Sequence, residues 1–398
     1  MDFASFSKFQ KNIQIEVLQL KIGLITIIGY NNYGNKLQNY AVQTVLEDNE
    51  FEVNTIINPQ CIADYKYIKG HYKEKFKAMI KSSKLYYFQK KIQLNKLNDK
   101  TKINKFLNFT KKNINVDNFE IFPYTKNIPI INDYNYFIVG SDQVWNYNHY
   151  RGSWIDFLQF APPEKRIAYA ASIGLDEIPK EREEQFKKYI SGMKYISVRE
   201  QRAKEIIEEL TDKKADVVLD PTLMLSAEQW AKISVRPSID IPQKYILLYF
   251  LGKISDVRMS YIKEYAQKHE YSILDIDNLK DKENNIYVAD PGEWVYLIAN
   301  CQCMFTDSFH GCVFSIIHHK DFEVFHRIKD DGSDAGMFSR IETLTSMFKL
   351  KNRIQEENCY KNKPHITTEE FSYVDNVIKY ERERTYKLLK GAMSNDKE

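Results

Sequence analysis

The chain has 398 residues, 43% of them hydrophobic and 14% aromatic, with 57 Lys and Arg against 54 Asp and Glu. That length suits two domains with their own cores, and the aromatic content excludes a chain disordered by composition. The five cysteines form no disulfide framework, no apolar run approaches the ~18 residues of a membrane span, and residues 1–19 mix charges into their apolar stretch unlike a secretory signal, so a cytoplasmic protein is expected.

Residues 21–28 read as a strand. The loop 29–35 follows, then an amphipathic helix over 36–46 and a returning strand at 52–57, a βαβ opening of Rossmann character. Gly29 and Gly34 imitate a phosphate loop, but Lys36 falls one position late and Leu37 stands where a magnesium-binding hydroxyl is wanted. Nucleoside triphosphate binding is rejected there. The turn still offers backbone N–H groups to an anion or a sugar hydroxyl, with Asn32, Gly34 and Gln38 as its ligand-facing residues. From Lys66 to Lys112, fifteen lysines meet Glu74 and Asp99, interleaved with Phe76, Ile80, Leu85, Phe88 and Ile92 at helical spacing. This basic helical insertion, 66–112, is either a solvated elaboration or a dock on an anionic membrane face or lipid-linked phosphate carrier. Nucleic acid is not an expected partner, because no recognised module accompanies the charge.

The strand 136–139 ends in Gly140-Ser141-Asp142-Gln143-Val144-Trp145. Asp142 and Gln143 suit paired sugar hydroxyls and the Trp145 ring suits a sugar's C–H face; the competing reading makes Asp142 a helix cap and Trp145 a core ring. Strands at 166–173 and 195–198 flank a helix at 179–190. Arg199 closes the second strand, placed either for a phosphate or carboxylate or for an ion pair with Glu200. A helix at 200–210 and a strand at 217–219 complete the first half. After a linker at 236–242 the alternation restarts, with strands at 245–251, 271–276, 303–305 and 321–325. Helices are expected at 255–268, 293–299 and 339–347. The pattern predicts two Rossmann-like α/β domains, 20–235 and 243–350, whose parallel sheets face across a cleft, with ligands outside the strands' carboxyl ends. A long helix over 367–392 packs back on the first domain.

Thr306-Asp307-Ser308-Phe309-His310-Gly311 is a strand, tight turn and helix start. A helix N-terminus collects free N–H groups, and a histidine there can bind an anion and move a proton. The competing reading is a capped helix with a packed histidine. Cys301 and Cys303 read as core, and adjacent His318 and His319 face different directions, so no metal is expected.

Four segments stand in a telling order: Asn32-Tyr33-Gly34-Asn35-Lys36-Leu37-Gln38, Gly140 to Trp145, Ser197-Val198-Arg199-Glu200, and Asp307-Ser308-Phe309-His310-Gly311. Asp220-Pro221-Thr222 and Ser339-Arg340-Ile341 accompany them. Over roughly residues 20–350 the chain resembles the polysaccharide pyruvyl transferase family. The resemblance implies a glycosyltransferase-B-like pair of domains that moves a pyruvyl group from phosphoenolpyruvate onto two hydroxyls of a glycan sugar, making a cyclic ketal in surface polysaccharide biosynthesis. Arg199 and His310 match the family's donor-binding and catalytic positions. Asp307, Ser308, Phe309, Gly311 and Lys320 are expected around the donor. Asp142 is expected as a base or hydrogen-bonding group for the acceptor hydroxyls, with Asn32, Gly34, Gln38, Ser141, Gln143 and Trp145 holding the sugar. The family often has proline after the lysine at 320, where this chain has Asp321. Phosphoenolpyruvate is a co-substrate, no cofactor is implied, and the acceptor is a glycan or lipid-linked oligosaccharide. Two alternatives stay open: a nucleotide-sugar-dependent glycosyltransferase on the same scaffold, and a non-catalytic glycan-binding or assembly protein.

Overall fold

The structure is a computed structural model that describes residues 19–59, 100–147, 151–283, 285–329, 331–333, 336, 338–357 and 359–394. Its first domain carries β1 (Lys21–Ile25), β2 (Glu52–Ile57), β3 (Val116–Glu120), β4 (Tyr136–Val139), β5 (Arg166–Ala171), β6 (Tyr195–Val198) and β7 (Asp216–Val217). These pair in parallel in the order β3-β2-β1-β4-β5-β6-β7. The second domain carries β8 (Tyr245–Tyr249), β9 (Ser272–Asp275), β10 (Cys303–Thr306) and β11 (Asp321–Val324), parallel in the order β11-β10-β8-β9. Central strands such as β4 and β5 are buried throughout, because helices cover both faces of a parallel sheet. Each sheet therefore has one switch point, β1/β4 in the first and β8/β10 in the second.

The helices are α1 (Tyr33–Glu47), α2 (Lys100–Asn113), α3 (Glu183–Ser191), α4 (Gln201–Leu210), α5 (Ala227–Ala231), α6 (Asp256–His269), α7 (Pro291–Asn300), α8 (Phe309–Ile317), α9 (Ser339–Met347) and α10 (Thr368–Met393). Most elements lie where the apolar periodicity puts them, and the boundary differences have local causes. β1 stops at Ile25, short of residue 28, where the Gln38 side chain takes over the Thr26 hydroxyl and the Ile27 carbonyl. α1 starts at Tyr33 because Asn32 caps it, its side chain accepting from Asn35 N at 3.1 Å. β3 has no apolar signal: it is an edge strand with no fully buried position.

The domains are joined through aromatic packing. Tyr33 of α1 stacks on Trp294 of α7 with ring centroids 5.7 Å apart, and its hydroxyl donates to Ala289 O at 2.9 Å. α2, the described part of the basic segment, buries Ile103, Phe106 and Phe109, and its Lys105 pairs with Glu293 of α7 at 3.1 Å. The rest of that segment, 66–99, lies outside the described residues. α10 opens with a capping box between Thr367 and Glu370 and buries Val374, Ile378, Thr385, Leu389 and Met393, a helical stripe. Its first half meets the second domain through Asp375 and His319. Its second half meets the first domain, where Arg382 donates to Leu223 O and Leu225 O and Tyr136 donates to Met393 O. Among the described residues, no helix is long and apolar enough to cross a membrane.

Candidate active site

The carboxyl ends of the two sheets meet, and the site is built from the loops after β1, β4, β6, β7 and β10 with the start of α9. In the first domain, β4 ends at Gly140 with φ +126°; a β-carbon there would lie 2.1 Å from Tyr169 O, so only glycine fits. The next turn puts Asp142 in the left-handed region at φ +69°, where aspartate is tolerated. β5 carries a register shift between Ala168 and Ala171, and Asp142 bridges to Ala171 beside it. Gln38 ties the two loops together. Its Nε2 donates to Thr26 Oγ1 at 2.7 Å and its Oε1 accepts from Ser141 N at 3.1 Å.

At the centre is a buried charge cluster. The Arg199 guanidinium, fully buried at the end of β6, donates to Asp142 Oδ1 at 2.5 Å and to Asp220 Oδ2 at 2.7 Å, with Glu200 at 3.9 Å. Asn35 donates to the other Asp142 oxygen, and Asp220 also accepts from Thr222 N, Thr222 Oγ1 and Ser141 Oγ. From the second domain, His310 brings Nε2 to 3.9 Å from the same Asp220 oxygen that Arg199 holds. Arg340, near the start of α9, brings Nη1 to 4.0 Å from Asp142. Phe309 lies under both guanidiniums, 4.5 Å from Arg199 Cζ and 6.0 Å from Arg340 Cζ. The imidazole from one domain and the guanidinium from the other therefore converge on one carboxylate.

The protonation states follow from this packing. Burial alone would raise the Asp142 and Asp220 carboxyls, but the Arg199 charge, followed by His310, outweighs it and holds both below the ordinary carboxylate value. Burial would lower Arg199, but Asp142 and Asp220 raise it above an ordinary guanidinium. Burial lowers the His310 imidazole, and the pull of Asp220 and Asp142 does not restore it. His310 is thus neutral near pH 7, and its Nε2 has no hydrogen-bond partner among the described residues. Of the two roles expected for Asp142, base or hydrogen-bonding group, its lowered carboxyl favours the second. It accepts hydrogen bonds from hydroxyls and is a poor acceptor of their protons.

His310 rests on α1. A β-carbon at Gly34 would lie 2.2 Å from His310 Nδ1, so glycine lets the first turn of α1 touch the ring. Gly34→Ala is expected to leave the helix intact, since alanine is a good helix former, and to displace the imidazole. Turnover should fall on the order of 10²-fold, the effect of misplacing a reacting group by about 1 Å. Steady-state kinetics together with a melting curve would check this.

The other expected residues divide by position. Ser141 and Phe309 touch the cluster, whereas Gly311 packs against Thr306 and Met304. Ser308 is the N-cap of α8 and accepts from Gly311 N at 3.4 Å. Asn32 and Gln38 border it as the cap and the tie described above. Gln143 packs against Gly174. Asp307 is spent internally, accepting from Leu251 N and Gly252 N at 2.7 and 2.8 Å and so locking the β8 loop to the β10 loop. Trp145 is away from the cluster: its ring is fully buried, stacks on Phe157 at 5.1 Å and donates its N–H to Asp156 O. It is a core ring and offers no face to a sugar. Lys320 is also displaced, because it precedes β11 and follows α8, at the far end of that helix from His310. Asn35, Asp220 and Arg340 belong to the cluster without having been singled out. All three stand inside the motifs, and the pairing that gives them roles exists only in three dimensions.

A family model for polysaccharide pyruvyl transferases matches residues 32–322. No curated protein matches the chain significantly. Among solved structures, the chain is similar to the UDP-GlcNAc 2-epimerase from Neisseria meningitidis bound to UDP-GlcNAc, with 12% identity and a TM-score of 0.46 over 94% of this chain and 99% of that one. It is also similar to the UDP-GlcNAc 2-epimerase from Methanocaldococcus jannaschii, with 13% identity and a TM-score of 0.44 over 91% of this chain and 100% of that one.

Proposed function

The chain belongs to the polysaccharide pyruvyl transferase family, and from that premise we propose that it transfers the enolpyruvyl group of phosphoenolpyruvate onto two hydroxyls of a glycan sugar, forming a cyclic ketal. The observation that carries this reading is the meeting of His310 with the Arg199–Asp142–Asp220 cluster where the carboxyl ends of the two sheets meet. Enol chemistry needs one proton source at C3 and a fixed charged surround for the cation that follows.

His310 gives its proton to C3, which becomes a methyl group and leaves C2 an oxocarbenium ion. One acceptor hydroxyl adds to C2, and the now neutral imidazole takes the hydroxyl proton. The bond from C2 to the phosphate oxygen then breaks with the electron pair leaving on phosphate. The second hydroxyl closes the ring on C2, and its proton leaves with the phosphate. Asp142, ionised and anchored by Arg199 and Asn35, accepts a hydrogen bond from an attacking hydroxyl and orients it. The donor's own negative charge favours the protonated imidazole, so donor binding loads the acid. The acceptor is a glycan or lipid-linked oligosaccharide intermediate of surface polysaccharide synthesis, handled in the cytoplasm at the inner membrane face.

Incubation with phosphoenolpyruvate and a panel of lipid-linked or nitrophenyl glycosides should release phosphate in step with ketal formation. Phosphoenolpyruvate should also raise the melting temperature, as any ligand of the native state does. Stabilisation by nucleotide diphosphates without any by phosphoenolpyruvate would replace this reading with the nucleotide-sugar glycosyltransferase.

A further inference from the structure

Arg199 and Arg340 lie over one phenylalanine ring but differ in how their charges are met. Arg199 has carboxylate oxygens at 2.5 and 2.7 Å. Arg340 is 6% exposed, and its nearest carboxylate, Asp142 at 4.0 Å, is already taken by Arg199 and Asn35. A buried cation without a close counter-ion is expensive. Its surroundings sharpen the point: burial, then the charge of Arg199, and also that of Arg327 pull the guanidinium down to about 9. Arg327, in the loop after β11, has its Nη2 donating to Asp307 O at 3.1 Å and its Nε 3.5 Å from Asp307 Oδ2.

Several buried polar atoms in this corner have no hydrogen-bond partner among the described residues: Arg340 Nε, Arg327 Nε, Ser339 Oγ and His310 Nε2. Orphaned buried groups are uncommon in native proteins, and such a concentration marks a place built for a ligand. α9 adds to it. Its N-cap is Phe338, which makes no side-chain cap, so among the described residues no side chain caps the first-turn N–H groups of Ser339 and Arg340, and they face an acceptor's place.

We infer that Arg340, with Arg327 and the opening turn of α9, is the receptor for the donor's phosphate, and that Arg199 is an internal counter-ion holding Asp142 and Asp220 in place. The inference rests on the reading above for the ligand's identity and changes which guanidinium meets it. A guanidinium matches two phosphate oxygens, and a dianion supplies the charge that Arg340 lacks. The receptor groups are Arg327, Ser339 and Arg340, beyond the segment 32–322 that the family model matches. Free inorganic phosphate, which is also the product, should bind the same receptor and compete with the donor.

The test is calorimetric and thermal-shift titration of the full chain at constant ionic strength with inorganic phosphate, phosphoenolpyruvate and pyruvate. The chains compared are the wild type, Arg340→Gln, Arg340→Lys and the surface variant Arg202→Gln. Phosphate and phosphoenolpyruvate should stabilise the wild type and Arg202→Gln, and pyruvate should have little effect. Arg340→Gln should melt no lower than wild type, since it removes an uncompensated charge, yet bind phosphate at least tenfold more weakly, with Arg340→Lys between. Should Arg340→Gln not fold, Arg327→Gln should still weaken phosphate about threefold. Unchanged phosphate affinity in a folded Arg340→Gln overturns the receptor. Lost phosphate binding in that variant, with no ketal made by wild type, keeps the receptor and removes pyruvyl transfer. Ketal formation by Arg340→Gln with an unchanged KM for phosphoenolpyruvate does the reverse.

Discussion

His310→Ala is expected to lower ketal formation on the order of 10²–10⁴-fold, the range for removing a positioned acid–base group. The fold should survive. Among the described residues Nε2 has no hydrogen-bond partner to orphan, and the ring is packed on Gly34 and edge-on to Phe309 at the first turn of α8. The pH dependence carries a second signature. Burial keeps the free imidazole below its ordinary value of 6.5. Because kcat/KM reports the free protein, its fall with rising pH should lie below pH 6.5. The donor's negative charge raises the imidazole, so the corresponding fall in kcat should lie at higher pH. Coincident limbs would contradict a proton loaded by the donor. Stability follows the opposite sense. The unfolded imidazole takes up a proton more readily than the folded one, so the stability linked to His310 is complete above pH 6.5 and is lost as pH falls below it. His310→Ala should flatten that dependence in melting curves.

Asp220→Ala should be the most destabilising single change at this site. The carboxylate is 3% exposed and accepts from Arg199, Thr222 and Ser141. Removing one member of a buried charge network leaves the others uncompensated, which costs about 3–5 kcal/mol. Arg199 would keep Asp142 but lose its shortest contact on the other side. Urea unfolding monitored by tryptophan fluorescence should show the midpoint falling with little change in slope. Asp220→Asn, which keeps the acceptor oxygen for Thr222, should lose less. An alanine variant as stable as wild type would mean that the cluster is not the structural keystone its geometry describes.

The fold was readable because a doubly covered parallel sheet buries both faces of its strands, so β4, β5, β8 and β10 stand out as short apolar runs. β3 was not, because an edge strand reading Val-Asp-Asn-Phe-Glu needs no such run. In the site, Asp142, Arg199 and His310 were legible because each leaves the carboxyl end of a buried strand, where any ligand of this architecture must come. Trp145 was ambiguous for a physical reason: an indole three positions beyond a carboxylate can turn outward to a ligand or inward to Phe157, and only packing decides. Lys320 follows the same motif in sequence, but the length of α8 carries it away. Arg340 was hidden in an ordinary helix start, since its distinction is a counter-ion it does not have.

α10 makes the two lobes behave as one lever. At about 1.5 Å per residue, its 26 residues run about 39 Å, gripping one lobe near Asp375 and the other from Arg382 to Met393. A wide jaw-like opening would have to peel that rod from a carbonyl-anchored seat. On the proposed reaction, the small donor would therefore meet groups whose spacing is already set between turnovers, and the bulkier sugar would be the reactant that accommodates itself to the rim.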